Sequence, residues 1–443
     1  MARKNTRTGA TRVLVAVGTV VAAALALSAC SGGGSGDGGG GTDGAGKTLT
    51  LWHYEGSDSA MAKAWNAAVP IFEKETGATV KIEEKSFEQI QKTASQVLDT
   101  DAAPDLMEFN KGNATAGFLA STGLISDLGD AVAKYGWDKK LAPSLQTTAK
   151  YSSNGVMGGD TWYGVPNYGE FVGVYYNLDM FKAAGLEVPK TYDDFVKVLD
   201  AFLAKGITPL AEAGAEYPLQ QLWYQLALTK ADRSWVDDYQ TYKNPVDWNG
   251  AETTYASQTL KDYVDKGYIA KDVSSIKAED AGVSFINGTS PIFVSGSWWY
   301  GRMVSDAKNF SWTLAGFPGS KLSLGSSGNL WVVPTKSKDK DLAEKFIDIT
   351  MSPEIQAVIG NSGGVPVAAN TSDITDPKSK ELIDTFNGLL KDDALSFYPD
   401  WPAPGFYDVM VQELQGLVTG AQDVATTNAH LDKKYTEGTA QYR

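Results

Sequence analysis

From residue 48 the chain alternates between two hydrophobic periods. Residues 48–52 alternate polar and apolar at period two and predict a strand. A stripe of Met61, Trp65, Ala68, Val69 and Phe72 at helical spacing follows, with Asp58 as its expected cap and Gly77 as its stop. Residues 79–82 predict a second strand, Ile90, Ala94, Val97 and Leu98 a second helix, and 104–109 a third strand running into a loop. This βαβαβ order predicts an α/β fold with a parallel sheet flanked by helices. Ligands of such sheets lie beyond the carboxyl ends of the strands, which singles out the loops 52–58 and 109–113.

A second set of elements begins after Gly164-Val165-Pro166. Residues 171–176 form an apolar run, a short helix starts at Asn177, and Tyr192, Phe195, Val198, Leu199 and Phe202 share one helical face. Helices are expected from Leu219 and Ser257. A strand over 291–295 ends in Gly296-Ser297-Trp298-Trp299-Tyr300, and residues 330–333 return to a strand. Helix 341–351 follows, and Ser352-Pro353-Glu354 is a cap with proline at the first helical position. There is no internal repeat.

The N-terminus is of another kind. Arg3, Lys4, Arg7 and Arg12 precede the apolar segment 13–27, which is short for a membrane span and right for a signal-peptide core. It runs into Leu27-Ser28-Ala29-Cys30 and then glycines, which resembles a bacterial lipobox. The expectation is removal of 1–29, lipidation of Cys30 and a flexible Gly/Ser leash over 30–46, with the fold starting near Lys47. Cys30 is the only cysteine, so no intramolecular disulfide is available. The remaining ~400 residues suffice for two domains.

Composition narrows the chemistry. The leader carries four basic residues and no acid, so its loss takes the formal charge from −14 to −18 and disfavours nucleic acid and anionic lipid as partners. With only His53 and His430 and one acylated thiol, no His/Cys metal cluster and no common nucleophile–base pair can form, so neither metal nor cofactor is expected. Three arginines remain (Arg233, Arg302, Arg443), too few for the usual clamps on carboxylate or phosphate, which favours a neutral ligand. Twelve tryptophans and twenty tyrosines make the clustering of aromatics, rather than their presence, informative.

Eight segments in order carry a resemblance: 49–52, Ala103-Pro104-Asp105-Leu106, 163–170, 174–181, 188–195, Phe285-Ile286-Asn287-Gly288, Ser295-Gly296-Ser297-Trp298 and Gly363-Gly364-Val365-Pro366. Together they resemble the carbohydrate-binding extracellular solute-binding proteins of ABC importers, the maltose-binding-protein-like family. The resemblance implies a two-lobed type II fold, each lobe a mainly parallel sheet flanked by helices. It places the lobes at 47–167 with 318–366 and at 168–317 with 367–443, joined by crossings near 167–171, 315–318 and 365–369. It also implies hinge closure on a ligand in the interlobe cleft, read by a permease.

Carried onto this chain, the family pattern places polar ligand contacts at Tyr54, Glu55 and Asp58 after the first strand, and at Asn110 and Asn113 after the third. Tyr168 and Glu170 lie in the first crossing, Glu170 where an interlobe carboxylate accepts sugar hydroxyl bonds or forms a hinge salt bridge. Trp298 holds the position that stacks on a sugar ring, with Trp299 beside it. Trp223 lies on a helix where one of Trp223 and Tyr224 can face the cleft. Gly328 and Asn329 belong to a Gly-rich segment that brings backbone amides to a ligand, and Trp401 sits in a proline-stiffened aromatic loop. The expected protein is a monomeric, non-enzymatic lipoprotein on the outer face of the cytoplasmic membrane of a Gram-positive cell. It is expected to deliver a neutral mono- or oligosaccharide, of xylo- or gluco-type, to a permease. A secreted glycan-degrading enzyme and a non-transport glycan-binding surface protein stay open.

Overall fold

The computed structural model describes residues 44–442, so the leader and Cys30 lie outside the described residues. In chain order the strands are β1 (Thr48–His53), β2 (Thr79–Glu84), β3 (Leu106–Phe109), β4 (Lys150–Tyr151), β5 (Thr161–Trp162), β6 (Val165–Pro166), β7 (Tyr168–Asn177), β8 (Leu210–Ala211), β9 (Ile292–Gly296), β10 (Trp312–Ala315), β11 (Gly325–Ser327), β12 (Leu330–Val332) and β13 (Val365–Pro366).

One sheet has the order β2-β1-β3-β12-β6. Strands β2 and β3 run parallel to β1, as the βαβαβ pattern predicts, whereas β12 is antiparallel to β3 and β6. The helix Ala60–Thr76 covers this sheet with the face read from the sequence: Met61, Trp65, Ala68 and Phe72 are buried, while Val69 is only partly so. Trp65 meets Trp331 of β12 at 5.0 Å, and Phe72 meets Phe346 at 5.6 Å. The helix stops at Gly77, in the left-handed region at φ 72°. Its cap is Ser59, whose hydroxyl accepts from the Ala62 amide at 3.0 Å, and not Asp58. Because a cap hydroxyl must reach the amide two or three residues on, the shift by one residue leaves Asp58 exposed in the loop.

The second sheet has the order β10-β7-β9-β8, with β11 and β13 pairing onto the first part of β7. Here strand direction departs from the expected parallel arrangement. β7 is antiparallel to β9, β10, β11 and β13, and only β8 and β9 run parallel. β7 itself enters from β6 of the first sheet through the single residue Asn167. All ten residues of β7 are buried, in agreement with its unbroken apolar reading. Residues 168–171 of this strand pair with β11 and β13, and residues 172–177 with β9 and β10, so one strand carries the chain past the cleft. The α/β two-sheet class is as expected.

Candidate functional site

The ends of β1 and β3, the start of β7, the turn after β9 and the loop around Trp401 converge on a cavity of about 540 Å³, within the range of ligand clefts. Tyr54, Glu55, Asp58, Asn110, Tyr168, Glu170, Trp298, Trp299, Asn329 and Trp401 all line it. Three expected residues do not, each for a local reason. Asn113 is buried with its amide in use, donating to Gln240 O at 2.8 Å and the Tyr242 hydroxyl at 2.6 Å and accepting from the Met157 amide at 2.7 Å. Trp223 is core: its indole donates to the Ser257 hydroxyl at 2.9 Å and stacks on Trp248 at 6.2 Å. Gly328 packs against the Tyr168 ring, where any side chain would overlap it, and its amide donates to Tyr168 O at 2.6 Å.

The floor is a polar network contributed by segments far apart in sequence. Lys111 is 2% exposed; its ammonium donates to Glu170 Oε1 and, at 3.0 Å, to Asn329 Oδ1. Asn329 Nδ2 donates to the Tyr168 hydroxyl at 2.6 Å. That hydroxyl lies 3.1 Å from Glu55 Oε1 and 3.4 Å from Glu108 Oε1, donating between them. Burial, and the proximity of Glu55, push the Glu108 carboxyl well above the ordinary range, and burial raises Glu55. Burial also raises Asp400 to about 6 and lowers His53 to about 4. His53 is packed at the strand end, where its Nδ1 accepts from the Glu55 amide at 3.1 Å. This settles the shape of the loop that presents Glu55.

The walls are aromatic. Trp298 meets Tyr217 edge-on at 6.1 Å and covers the α-carbon of Gly296, where a side chain would displace it. Trp401 is held between Tyr398 at 5.2 Å and Phe397 at 5.8 Å. Tyr54 meets Phe87 at 5.2 Å, and Phe87 meets Tyr407 at 6.3 Å. Trp299 borders the cavity but packs into the core against Phe293 at 5.5 Å and over Gly282. Flat apolar faces beside carboxyl and amide groups suit a ligand with C–H faces and hydroxyls.

The sequence reading missed Lys111, Tyr217, Gln221, Glu279, Arg302, Tyr398, Asp400 and Tyr407, all of which line the cavity. Tyr398 and Asp400 share the rigid loop already singled out for Trp401, and Lys111 stands between the two loop asparagines, so proximity was a usable signal for these. Both cations in the wall are engaged by wall carboxylates, Lys111 by Glu170 and Arg302 by Glu279 at 2.7 Å. Among the described residues no group of His, Cys, Asp and Glu is placed to hold a metal ion, and no helix is long and apolar enough to cross a membrane.

Residues 67–385 match the bacterial extracellular solute-binding protein family. The chain is 29% identical over 219 residues to the multiple sugar-binding protein of Streptococcus mutans, covering 46% of this chain and 51% of that protein. It is 28% identical over 335 residues to the diacetylchitobiose binding protein DasA of Streptomyces coelicolor, covering 72% and 73%. Thus the matched part spans about half the length of the first relative and about three quarters of the second. In structure it is similar to a chitin oligosaccharide binding protein, with a TM-score of 0.75, 22% identity and coverage of 89% of this chain and 99% of that one. That likeness shows the two-lobed type II fold. Because the family model matches most of the folded chain, this protein is a member of the bacterial extracellular solute-binding protein family.

Proposed function

We propose that the chain is the substrate-binding lipoprotein of an ABC importer, which captures a neutral sugar or oligosaccharide in the interlobe cavity and delivers it to a permease. The observation that carries the reading is the cavity wall: Trp298 offers a partly exposed ring, backed by the buried Trp401 at the cavity's edge, Glu55, Asp400 and Asn329 offer hydrogen-bonding groups, and both wall cations are neutralised by carboxylates. A neutral polyol meets its partners there without leaving a buried charge unpaired. The names of the two relatives, one for multiple sugars and one for diacetylchitobiose, support a sugar over other solutes. A xylo- or gluco-oligosaccharide is the preferred class. The lobes are assigned to 47–167 with 318–366 and to 168–317 with 367–443, and their closure on the ligand is the signal to the permease. The anchor is a diacylglyceryl group on Cys30 at the outer face of the cytoplasmic membrane of a Gram-positive cell, with 30–46 as leash and the receptor as a monomer.

Calorimetric titration with xylotriose, cellotriose, maltotriose, raffinose and N,N′-diacetylchitobiose tests the reading. Micromolar or tighter binding of one of them is expected. Release of shorter products during incubation, or binding of none, would overturn it.

A further inference from the structure

We infer that Lys111 is itself a ligand-binding residue of the cleft: its ammonium is a charge-assisted donor to an oxygen of the bound molecule that can only accept, such as a ring or glycosidic ether oxygen or an amide carbonyl. The inference rests on the sugar reading and adds to it the feature the floor recognises. Lysine carries three N–H donors. Two are committed, to Glu170 Oε1 and to Asn329 Oδ1, and no third hydrogen bond of this ammonium exists among the described residues. The side chain is 2% exposed and lines the cavity, so a molecule bound in the cavity is within reach of the remaining donor, while bulk water has little access to it.

Two neighbours narrow the direction. The ammonium stands 5.3 Å from the centre of the Tyr398 ring and 5.5 Å from that of Trp401, which confines it on that side with ring faces that attract a cation without accepting a hydrogen bond as an oxygen does. Tyr398 itself borders the cavity and lies beside Glu170, the carboxylate that Lys111 already engages. A buried donor left without an acceptor is costly unless something arrives to satisfy it. The other wall cation is not available for this work, since Arg302 is tied to Glu279 at 2.7 Å and to Asp306 at 3.5 Å. The remaining charged groups of the floor (Glu55, Glu170 and Asp400, with Glu108 behind) present oxygens. Lys111 therefore adds a cationic donor to a floor whose charged groups are otherwise carboxyls.

The alternative is that Lys111 only neutralises Glu170. The two roles separate in a background where Glu170 is already uncharged. The probe is whichever of xylotriose, cellotriose, maltotriose, raffinose and N,N′-diacetylchitobiose binds the unaltered chain most tightly. Glu170→Gln and Lys111→Met/Glu170→Gln are titrated with it, and their melting temperatures are recorded. The expected result is affinity at least tenfold weaker in the double variant than in Glu170→Gln, with a melting temperature no lower than that of Glu170→Gln, because Glu170→Gln alone leaves the buried Lys111 ammonium without its carboxylate. Equal or tighter binding by the double variant would leave Lys111 a structural counter-ion and overturn the inference while keeping the sugar reading. Failure of the unaltered chain to bind any of the five overturns that reading, and this inference with it.

Discussion

The α-carbon of Gly112 lies flat against the indole of Trp401: a Cβ at this position would come within 2.5 Å of Trp401 Cγ, and the backbone stands at φ 109°, where side chains are strained. The contact joins the loop after β3 to the aromatic loop nearly three hundred residues later, and the Ala114 amide donating to Trp401 O at 2.8 Å closes it. Gly112→Ala must displace the indole and force the backbone, at a cost of about 2 kcal/mol or more. Chemical denaturation should show that loss, and ligand affinity should fall with it because Trp401 moves. A variant as stable as the parent would refute the packing described.

Trp298 is only partly buried and presents its ring to the cavity. Trp298→Ala is expected to weaken glycan binding at least tenfold, about 1.4 kcal/mol, with a small change in melting temperature. Unaltered affinity in calorimetry would remove Trp298 from the site.

Trp223 predicts the opposite pattern. Its ring is fully buried, stacked on Trp248 and linked through Ser257 to Asn428 at 2.6 Å. Trp223→Ala should cost about 3–5 kcal/mol of stability, while the fraction that remains folded binds ligand with parental affinity. Lost affinity in a variant of normal stability would place Trp223 in the cleft after all.

The Glu55 and Glu108 carboxyls give stability a pH dependence of known sign. Unfolded, each titrates near 4.5, and burial raises both in the folded chain. As pH climbs above 4.5 the unfolded chain releases protons that the folded chain keeps, so these groups favour folding less and less until their folded values are passed. Glu108→Gln removes one such group. Its unfolding free energy relative to the parent should therefore rise between pH 5 and pH 8, by up to about 1.4 kcal/mol per pH unit, as read by chemical denaturation. A difference that is flat across this range would mean that the carboxyl loses its proton at an ordinary pH despite its burial.

Cys30→Ala tests the proposed anchor. Cell fractionation should find the variant in the medium and the parent with the membrane, and the two purified proteins should bind the same glycan equally. A variant still retained by the membrane would show that the lipid is not the tether.

Much of this molecule was legible in local sequence because its signals act over a few residues. The stripe through Met61, Trp65 and Phe72, the stop at Gly77, the Ser352 cap on the helix Pro353–Asn361 and the apolar run of β7 all follow from backbone periodicity and from which side chains can satisfy a helix end. The order of family segments likewise located the loops that border the cleft. What tertiary structure alone decided is which side chain of each loop turns inward and what it meets there. Asn110 faces the cavity while Asn113, three residues on, is consumed by Met157, Gln240 and Tyr242. Lys111 finds its partners 59 and 218 residues further along the chain. Spacing in sequence records no such distances. Those pairings exist because two sheets, joined through β7, bring the segments together, and a buried charge there persists only beside the partner that the fold supplies.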